Sequence, residues 1–293
     1  MPELPEVETV KRGLEPALVG RRFLRIELRR ENLRFPFPKD FTNTMQGARI
    51  DALERRAKYI LVHCDNGQSM IWHLGMTGRF TVVAANGRAF EPGAFYHETT
   101  TSLGPHDHVV ITLDDGVRVI YNDARRFGFM DMVATALRDE HKLLRDIGVE
   151  PLGNGFSAAH LHLKFEGKKA PLKAALLDQH VVAGLGNIYV SEALFRAKLS
   201  PLRKALTLAK RKAVDLRLEV LVRHIKDILN EAILAGGSTL QHFQTPDGEK
   251  GAFQQHFLVY DREGGLCMNG CGGKVKRIVQ SGRSSFYCPV CQK

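Results

Sequence analysis

The sequence holds no run of about 18 uninterrupted apolar residues, the length a membrane helix needs, so no membrane partner is expected. Its opening, MPELPEVETVK, lacks the basic and then apolar stretch of an export leader and carries glutamates instead, so a cytoplasmic location is expected. Internal repeats and low-complexity tracts are absent too. Cysteine is scarce: the 293 residues contain 5, and four of them fall between Cys267 and Cys291. Acid is the minority charge, with 32 Asp+Glu against 42 Lys+Arg, a formal net charge of +10. That excess speaks to partners and not to fold. Nucleic acid is the first candidate; an anionic membrane surface, contact with ribosomal or transfer RNA, and plain solubility are its rivals. What remains is ordinary: 44% hydrophobic and 25% charged residues suit a globular chain. At roughly 100–200 residues per domain, the length suits two or three domains.

Residues 3–20 place Val7, Val10, Leu14 and Leu18 at spacings of three and four, ahead of Gly20, which predicts one amphipathic helix. The period then changes to two. Phe23, Leu24, Ile26 and Leu28 interleave with Arg22, Arg25 and Arg29. Further on, AKYILVHC and SMIWHLGM flank Asp65-Asn66-Gly67-Gln68, while HVVITL and VRVIYN flank Asp114-Asp115-Gly116. These are two hairpin signals. Residues 22–134 are therefore expected to be mostly antiparallel β, as a sandwich. Helical spacing returns in ALRDEHKLLRDIG, in Lys169–Asp178, in Asn187–Arg196, and from about Thr207 to Leu234 before Gly236-Gly237. Residues 238–257 have no period, and loops of that length in compact chains are usually functional.

Cys267-x3-Cys271 and Cys288-x2-Cys291 are two close pairs a ribbon's length apart. Four thiolates so spaced suit one tetrahedral Zn²⁺, and a site with four protein ligands has no open position for substrate, so one structural Zn²⁺ is expected. Two disulfides are the alternative, disfavoured without an export leader. Cys64 ends an apolar strand and reads as a buried thiol. Around the cluster, Lys274, Lys276, Arg277, Arg283 and Lys293 occur with no acid. Arg283, between Gly282 and Ser284, could approach a phosphate or simply end a solvated hairpin.

Met1-Pro2-Glu3 gains meaning from processing. Removal of Met1 would expose a secondary amine with a pKa near the ~8 of an α-amino group, able to form an iminium with an aldehyde. A start of no consequence is the plainer reading. Glu3, Glu6 and Glu8 follow, and carboxylates in a first helical turn are stabilised by the helix dipole whether or not one of them donates a proton.

Together these residues resemble the formamidopyrimidine-DNA glycosylase family, which excises oxidised purines such as 8-oxoguanine and then cuts the abasic site. The resemblance runs end to end: PELPEVETV at 2–10, RRAKYIL at 55–61, HLGMTGRF at 73–80, HDHV at 106–109, NDARRFGF at 122–129, LLDQHVVAGLGNIYVSEALF at 176–195, FQ-x3-LVYDREG at 253–264, and GRSSFYCPVCQK at 282–293. It implies a multidomain α+β fold. Residues 1–134 would form the catalytic domain, an N-terminal helix plus antiparallel β-sandwich. Residues 135–237 would form a helical helix–two-turn–helix domain, 238–257 a damaged-base loop, and 258–293 a β-hairpin zinc ribbon. The partner implied is damaged double-stranded DNA lying between two lobes, bound by a monomer without organic cofactor. Read alone, Gly184-x-Gly186 could begin a dinucleotide fingerprint, but the third glycine is missing and no strand is expected before it.

Residue by residue, the resemblance makes Pro2 the nucleophile at C1′, Glu3 the acid that assists sugar-ring opening and Glu6 a supporting carboxylate. Lys58 would approach a phosphate during β-elimination, and Arg283 would grip the phosphates flanking the lesion and serve δ-elimination. His106, Lys169 and Asn187 correspond to DNA-backbone positions, and Lys173 to a lysine affecting 8-oxoguanine turnover. A flipped base leaves a hole that something must fill. Phe127 would wedge a base step, Arg125 address the orphaned cytosine and Met76 occupy the void. Without the resemblance, Met76 and Phe127 could be core residues, and Arg125 or Arg126 could pair with Asp123 or Asp131. The chain departs from the family in its first zinc pair, where many relatives have Cys-x2-Cys. It departs again at Gln241, where Arg or Lys is common, and at His242, where Asp is common. Two rival functions share the scaffold: an endonuclease VIII-like glycosylase for oxidised pyrimidines, and a DNA-binding zinc protein without catalysis.

Overall fold

A computed structural model describes residues 2–93, 102–238 and 252–293 of the chain. Two compact units divide between Arg145 and Asp146.

The first unit begins with α1 (Leu4–Leu18), whose Val7, Val10, Leu14 and Leu18 are all buried, as their spacing predicts. Each such burial is worth roughly 1.5–3 kcal/mol. Beyond it come β1 (Phe23–Leu28), α2 (Phe41–Met45), β2 (Ile50–Arg56), β3 (Tyr59–Cys64), β4 (Gln68–His73), β5 (Arg79–Val83), β6 (Ala89–Phe90), β7 (Asp107–Leu113), β8 (Arg118–Asn122) and β9 (Phe129–Ala134). The strands form two antiparallel sheets, in the orders β1-β7-β8-β5-β6 and β2-β3-β4-β9. Phe23, Ile60, Trp72, Phe80 and Tyr121 share one core with the apolar face of α1. Both hairpins signalled by glycine are present, between β3 and β4 and between β7 and β8. A third hairpin joins β2 to β3 through Ala57 and Lys58 alone, because Arg56 pairs with Tyr59. No glycine marks it. Ala57 itself adopts the left-handed conformation, at φ 54°.

The helical spacing over 136–148 does not become an α-helix. Thr135–Glu140 forms a short 3-10 helix with no buried side chain, so nothing offsets the cost of nucleating an α-helix there.

The second unit contains α3 (Ala158–Phe165), α4 (Leu172–Leu177), α5 (Asn187–Arg196), α6 (Leu216–Leu234), and the hairpin of β10 (Lys276–Gln280) and β11 (Arg283–Tyr287). α3 was not signalled by spacing; Ser157 caps it, its Oγ accepting from the His160 N–H at 3.2 Å. α4 starts after Pro171, later than the expected Lys169. The residues before it are tied to a 3-10 helix at Ala205–Leu208, with the Leu206 N–H donating to Lys168 O and that of Ala205 to Ala170 O. α6 likewise starts later than Thr207, where the Asp215 carboxylate accepts from the Arg217 N–H at 2.9 Å. Leu161, Phe165, Leu176, Tyr189, Leu221 and Ile225 belong to one core, and Phe195, Val259, Val275 and Phe286 to a second beneath the hairpin. Glu192 of α5 lies near that second core and is 0% exposed. Its carboxylate accepts the N–H groups of Leu258, Val259 and Tyr260 at 3.0, 2.9 and 2.7 Å. Burial pushes its carboxyl above the ordinary range, against the pull of those three donors. Among the described residues no helix is long and apolar enough to cross a membrane.

Candidate nucleic-acid interface and metal centre

Pro2 is half-buried at the entrance to α1, and Glu3 is 3% exposed as its N-cap. Glu6 reaches back so that Oε2 accepts the Glu3 N–H at 2.8 Å, one half of a capping box. One turn further, Glu8 accepts from Arg55 Nε at 3.0 Å, and Arg55 Nη1 donates to the Ala57 carbonyl at 3.1 Å. Arg12 and Arg55 hold the Glu8 carboxyl below the usual carboxylate range, although burial works against them. Arg55 therefore ties the helix that follows Pro2 to the turn that carries Lys58, a residue only 8% exposed.

Met76, Arg125 and Phe127 come together. They line a cavity of about 610 Å³ with Arg34, His73 and Arg126. Met76 is 42% and Phe127 41% exposed, so neither is a core residue. The Arg125 guanidinium lies 4.6 Å from the centroid of the Phe127 ring, a cation–π contact. Neither alternative acid serves as its partner. Asp123 accepts from Thr77, Tyr121 and Gly128, while Asp131 faces His141 and Lys142. His73 stacks on Phe129 at 5.0 Å and accepts the Gly75 N–H through Nδ1 at 3.0 Å. Burial pushes its pKa down to about 4, helped by Lys58 and Arg34 and opposed by Asp123. The ring is thus neutral at neutral pH. His106 is exposed, and its carbonyl accepts the Asp123 N–H at 3.0 Å.

In the second unit, Lys169 is exposed whereas Lys173 is 1% exposed. The Lys173 ammonium donates to the Ser284 carbonyl at 2.8 Å and to Ser285 Oγ at 2.7 Å. Asn187, at the start of α5, donates through Nδ2 to the same carbonyl at 2.9 Å and to the Tyr260 hydroxyl at 3.3 Å. Arg283 is exposed directly after the two-residue turn Ser281-Gly282, whose φ values of 49° and 74° suit a tight hairpin. Lys173 and Asn187 thus lie beneath the backbone next to Arg283. Gln241 and His242 lie outside the described residues.

The four cysteines converge as their spacing predicts, with all sulfurs within 4.8 Å of one another. Cys267 and Cys291 are 3.7 Å apart, and Cys271 and Cys288 3.5 Å apart. Four Zn–S bonds of about 2.3 Å in a tetrahedron put sulfurs about 3.8 Å apart, so the cluster fits one structural Zn²⁺. The Cβ of any residue replacing Gly273 would stand 2.8 Å from Cys288 Sγ, which explains a glycine there. Cys64 is apart from this cluster; burial pushes its thiol up to about 12.

Family models match three segments: the formamidopyrimidine-DNA glycosylase N-terminal domain at residues 1–130, the formamidopyrimidine-DNA glycosylase H2TH domain at 147–244, and the zinc finger found in FPG and IleRS at 266–293. Formamidopyrimidine-DNA glycosylase of Methylobacterium sp. (strain 4-46) is 53% identical over 294 residues, covering 100% of this chain and 99% of the relative. The chain belongs to the formamidopyrimidine-DNA glycosylase family. The relative from Rhizobium meliloti (strain 1021) is 53% identical over 302 residues, covering 100% of both. Among solved structures, the MutM (FPG) protein of Thermus thermophilus superposes with a TM-score of 0.80 at 36% identity, covering 99% of this chain and 98% of that one. A Lactococcus lactis Fpg in complex with DNA containing an abasic site gives 0.82 at 30% identity, covering 99% of each. The helix-plus-sandwich, the H2TH region and the zinc hairpin are this family's architecture. Within its motifs, Arg55, His73, Thr77 and Asp123 stood in plain view without a role, because one sequence does not reveal which polar side chains face a cavity and which are buried.

Proposed function

We propose that this formamidopyrimidine-DNA glycosylase removes oxidised purines from duplex DNA and cleaves the resulting abasic site through its N-terminal proline, acting as a monomer in the cytoplasm. The observation that carries the reading is the start of α1, where Glu3 is 3% exposed immediately after Pro2 and Glu6 restrains the Glu3 N–H. Flipping the target nucleotide costs a few kcal/mol, and Met76, Arg125 and Phe127 fill the place it leaves. The Pro2 nitrogen, free once Met1 is removed, gives its lone pair to C1′ as the bond from C1′ to the base breaks and the base departs with a proton. Glu3 protonates O4′ as the C1′–O4′ bond opens, leaving an iminium between Pro2 and C1′. That electron sink acidifies the C2′ hydrogen, so the 3′ phosphate leaves, with Lys58 at the phosphate. A second elimination expels the 5′ phosphate gripped by Arg283, and water releases the remaining sugar fragment from Pro2. The products are free base and a one-nucleotide gap with phosphate at both ends. The Zn²⁺ holds the hairpin that carries Arg283 and takes no part in bond changes.

Borohydride added during reaction with an 8-oxoguanine:cytosine duplex should give a covalent adduct at Pro2, absent in Pro2→Gly. Equal cleavage by both chains would remove this reading, and preference for thymine glycol over 8-oxoguanine at matched salt would transfer it to oxidised pyrimidines.

A further inference from the structure

Two loops carry three of the exposed side chains that line the cavity: Met76 lies between β4 and β5, and Arg125 and Phe127 lie between β8 and β9. Both loops are fastened to one carboxylate. Asp123 is 0% exposed. Its Oδ1 accepts from Thr77 Oγ at 2.5 Å, and its Oδ2 accepts from the Gly128 N–H at 2.8 Å and the Tyr121 hydroxyl at 3.3 Å. The Asp123 main chain is held as well: its carbonyl accepts from His108 Nε2 at 2.9 Å and from the Arg126 N–H at 3.2 Å. Thr77 completes the link, because the hydroxyl that donates to Asp123 also accepts the Arg125 N–H at 3.1 Å. A single threonine oxygen therefore joins the Met76 loop to the Arg125 loop.

The backbones leave no play between the loops. A Cβ on Gly75 would stand 2.3 Å from the Phe127 carbonyl carbon and the Gly128 nitrogen, and one on Gly128 would stand 2.6 Å from the His73 carbonyl oxygen. Arg126 sits between the two exposed residues with φ at 54°, a conformation that a non-glycine residue keeps only when its surroundings impose it.

We infer that Asp123 and Thr77 are positioning residues that make Met76, Arg125 and Phe127 one rigid block, so that the void left by an extruded nucleotide is filled by a single preformed body and not by three independent side chains. This rests on the void-filling role proposed above. The carboxylate accepts one backbone N–H and two hydroxyls, and because a hydroxyl can also accept from an amide, only a side chain without polar atoms breaks the set. Asp123→Leu keeps similar bulk but removes the acceptor shared by Thr77, Tyr121 and Gly128. The side chains then lose their common frame while the start of α1 is untouched.

The test compares two substrates. One is an 8-oxoguanine:cytosine duplex, from which a base must be extruded and replaced. The other is a single-stranded oligonucleotide with an abasic site, where no hole opens in a stack. For Asp123→Leu, kcat/KM on the duplex is expected to fall about tenfold or more, as the loss of even one or two buried hydrogen bonds implies, while cleavage of the single strand stays within about twofold. Equal losses on both substrates, or no loss on either, would overturn the inference. Should Asp123→Leu fail to fold, Thr77→Val and Thr77→Ser carry the same comparison: valine should reproduce the selective loss and serine should retain duplex excision. Equal behaviour of those two chains would also overturn it. Failure of the unaltered chain to excise 8-oxoguanine at all strikes the proposed function instead.

Discussion

The ammonium of Lys173 donates to the carbonyl of Ser284 at 2.8 Å, although 111 residues separate them in the chain. The residue before Ser284 is Arg283, so a buried lysine of α4 and an exposed arginine of the zinc hairpin are linked through one backbone carbonyl. Asn187 donates to the same oxygen at 2.9 Å.

Lys173→Met should therefore act through Arg283. Methionine fills similar space but cannot donate, so Ser285 Oγ and the Ser284 carbonyl each lose the ammonium as a donor. A stability loss of about 1–3 kcal/mol is expected in urea. Gel analysis of cleavage products should also move from the doubly eliminated gap toward the singly eliminated strand. An unchanged product ratio would mean that Lys173 does not position Arg283.

The N-terminal amine makes a sharper prediction. A chain that keeps any residue ahead of Pro2 has an amide nitrogen there, whose lone pair is delocalised and cannot form an iminium. Such a chain should bind lesion duplex with affinity near that of the processed form, yet give neither excision nor borohydride adduct. Mass spectrometry of the intact protein beside a cleavage assay checks it, and excision by the unprocessed chain would dismiss Pro2 as nucleophile.

His73 should make stability depend on mildly acid pH. Its ordinary value near 6.5 applies to the unfolded chain, while burial pushes the folded value down to about 4. The unfolded state therefore takes up the proton first. The contribution is whole above about pH 6.5 and is lost as pH falls toward 4, amounting to about 3 kcal/mol at most. Urea unfolding at pH 7.5 and 4.5 should show His73→Gln losing less stability on acidification than the unaltered chain. Parallel losses would mean that the histidine is protonated in the fold.

Metal removal should act on the second unit. Chelation is expected to release one Zn²⁺ per chain, to loosen the hairpin whose core includes Cys267 and Cys288, and to abolish DNA binding. Zinc titration alongside fluorescence anisotropy with a lesion duplex measures both, and full affinity in the metal-free protein would contradict the structural role.

Local pattern alone determined a good deal of this protein. Val7, Val10, Leu14 and Leu18 marked α1, and alternation marked the sheets, because burial of one face repeats with the period of the element that buries it. The cysteine pairs marked the metal site in the same way, since close ligands must come from tight turns. Tertiary structure decided what periodicity does not encode. The spacing at 136–148 was helical, but Leu144 alone among its apolar side chains is buried, and only the 3-10 helix Thr135–Glu140 formed. Lys173 was expected from the resemblance to affect 8-oxoguanine turnover, yet its burial against Ser284 and Ser285 was not legible, and Asp123 read as an acid among arginines until Thr77, Tyr121 and Gly128 enclosed it. Whether a polar side chain meets solvent, substrate or a buried partner depends on segments distant in the chain, and folding alone brings those together.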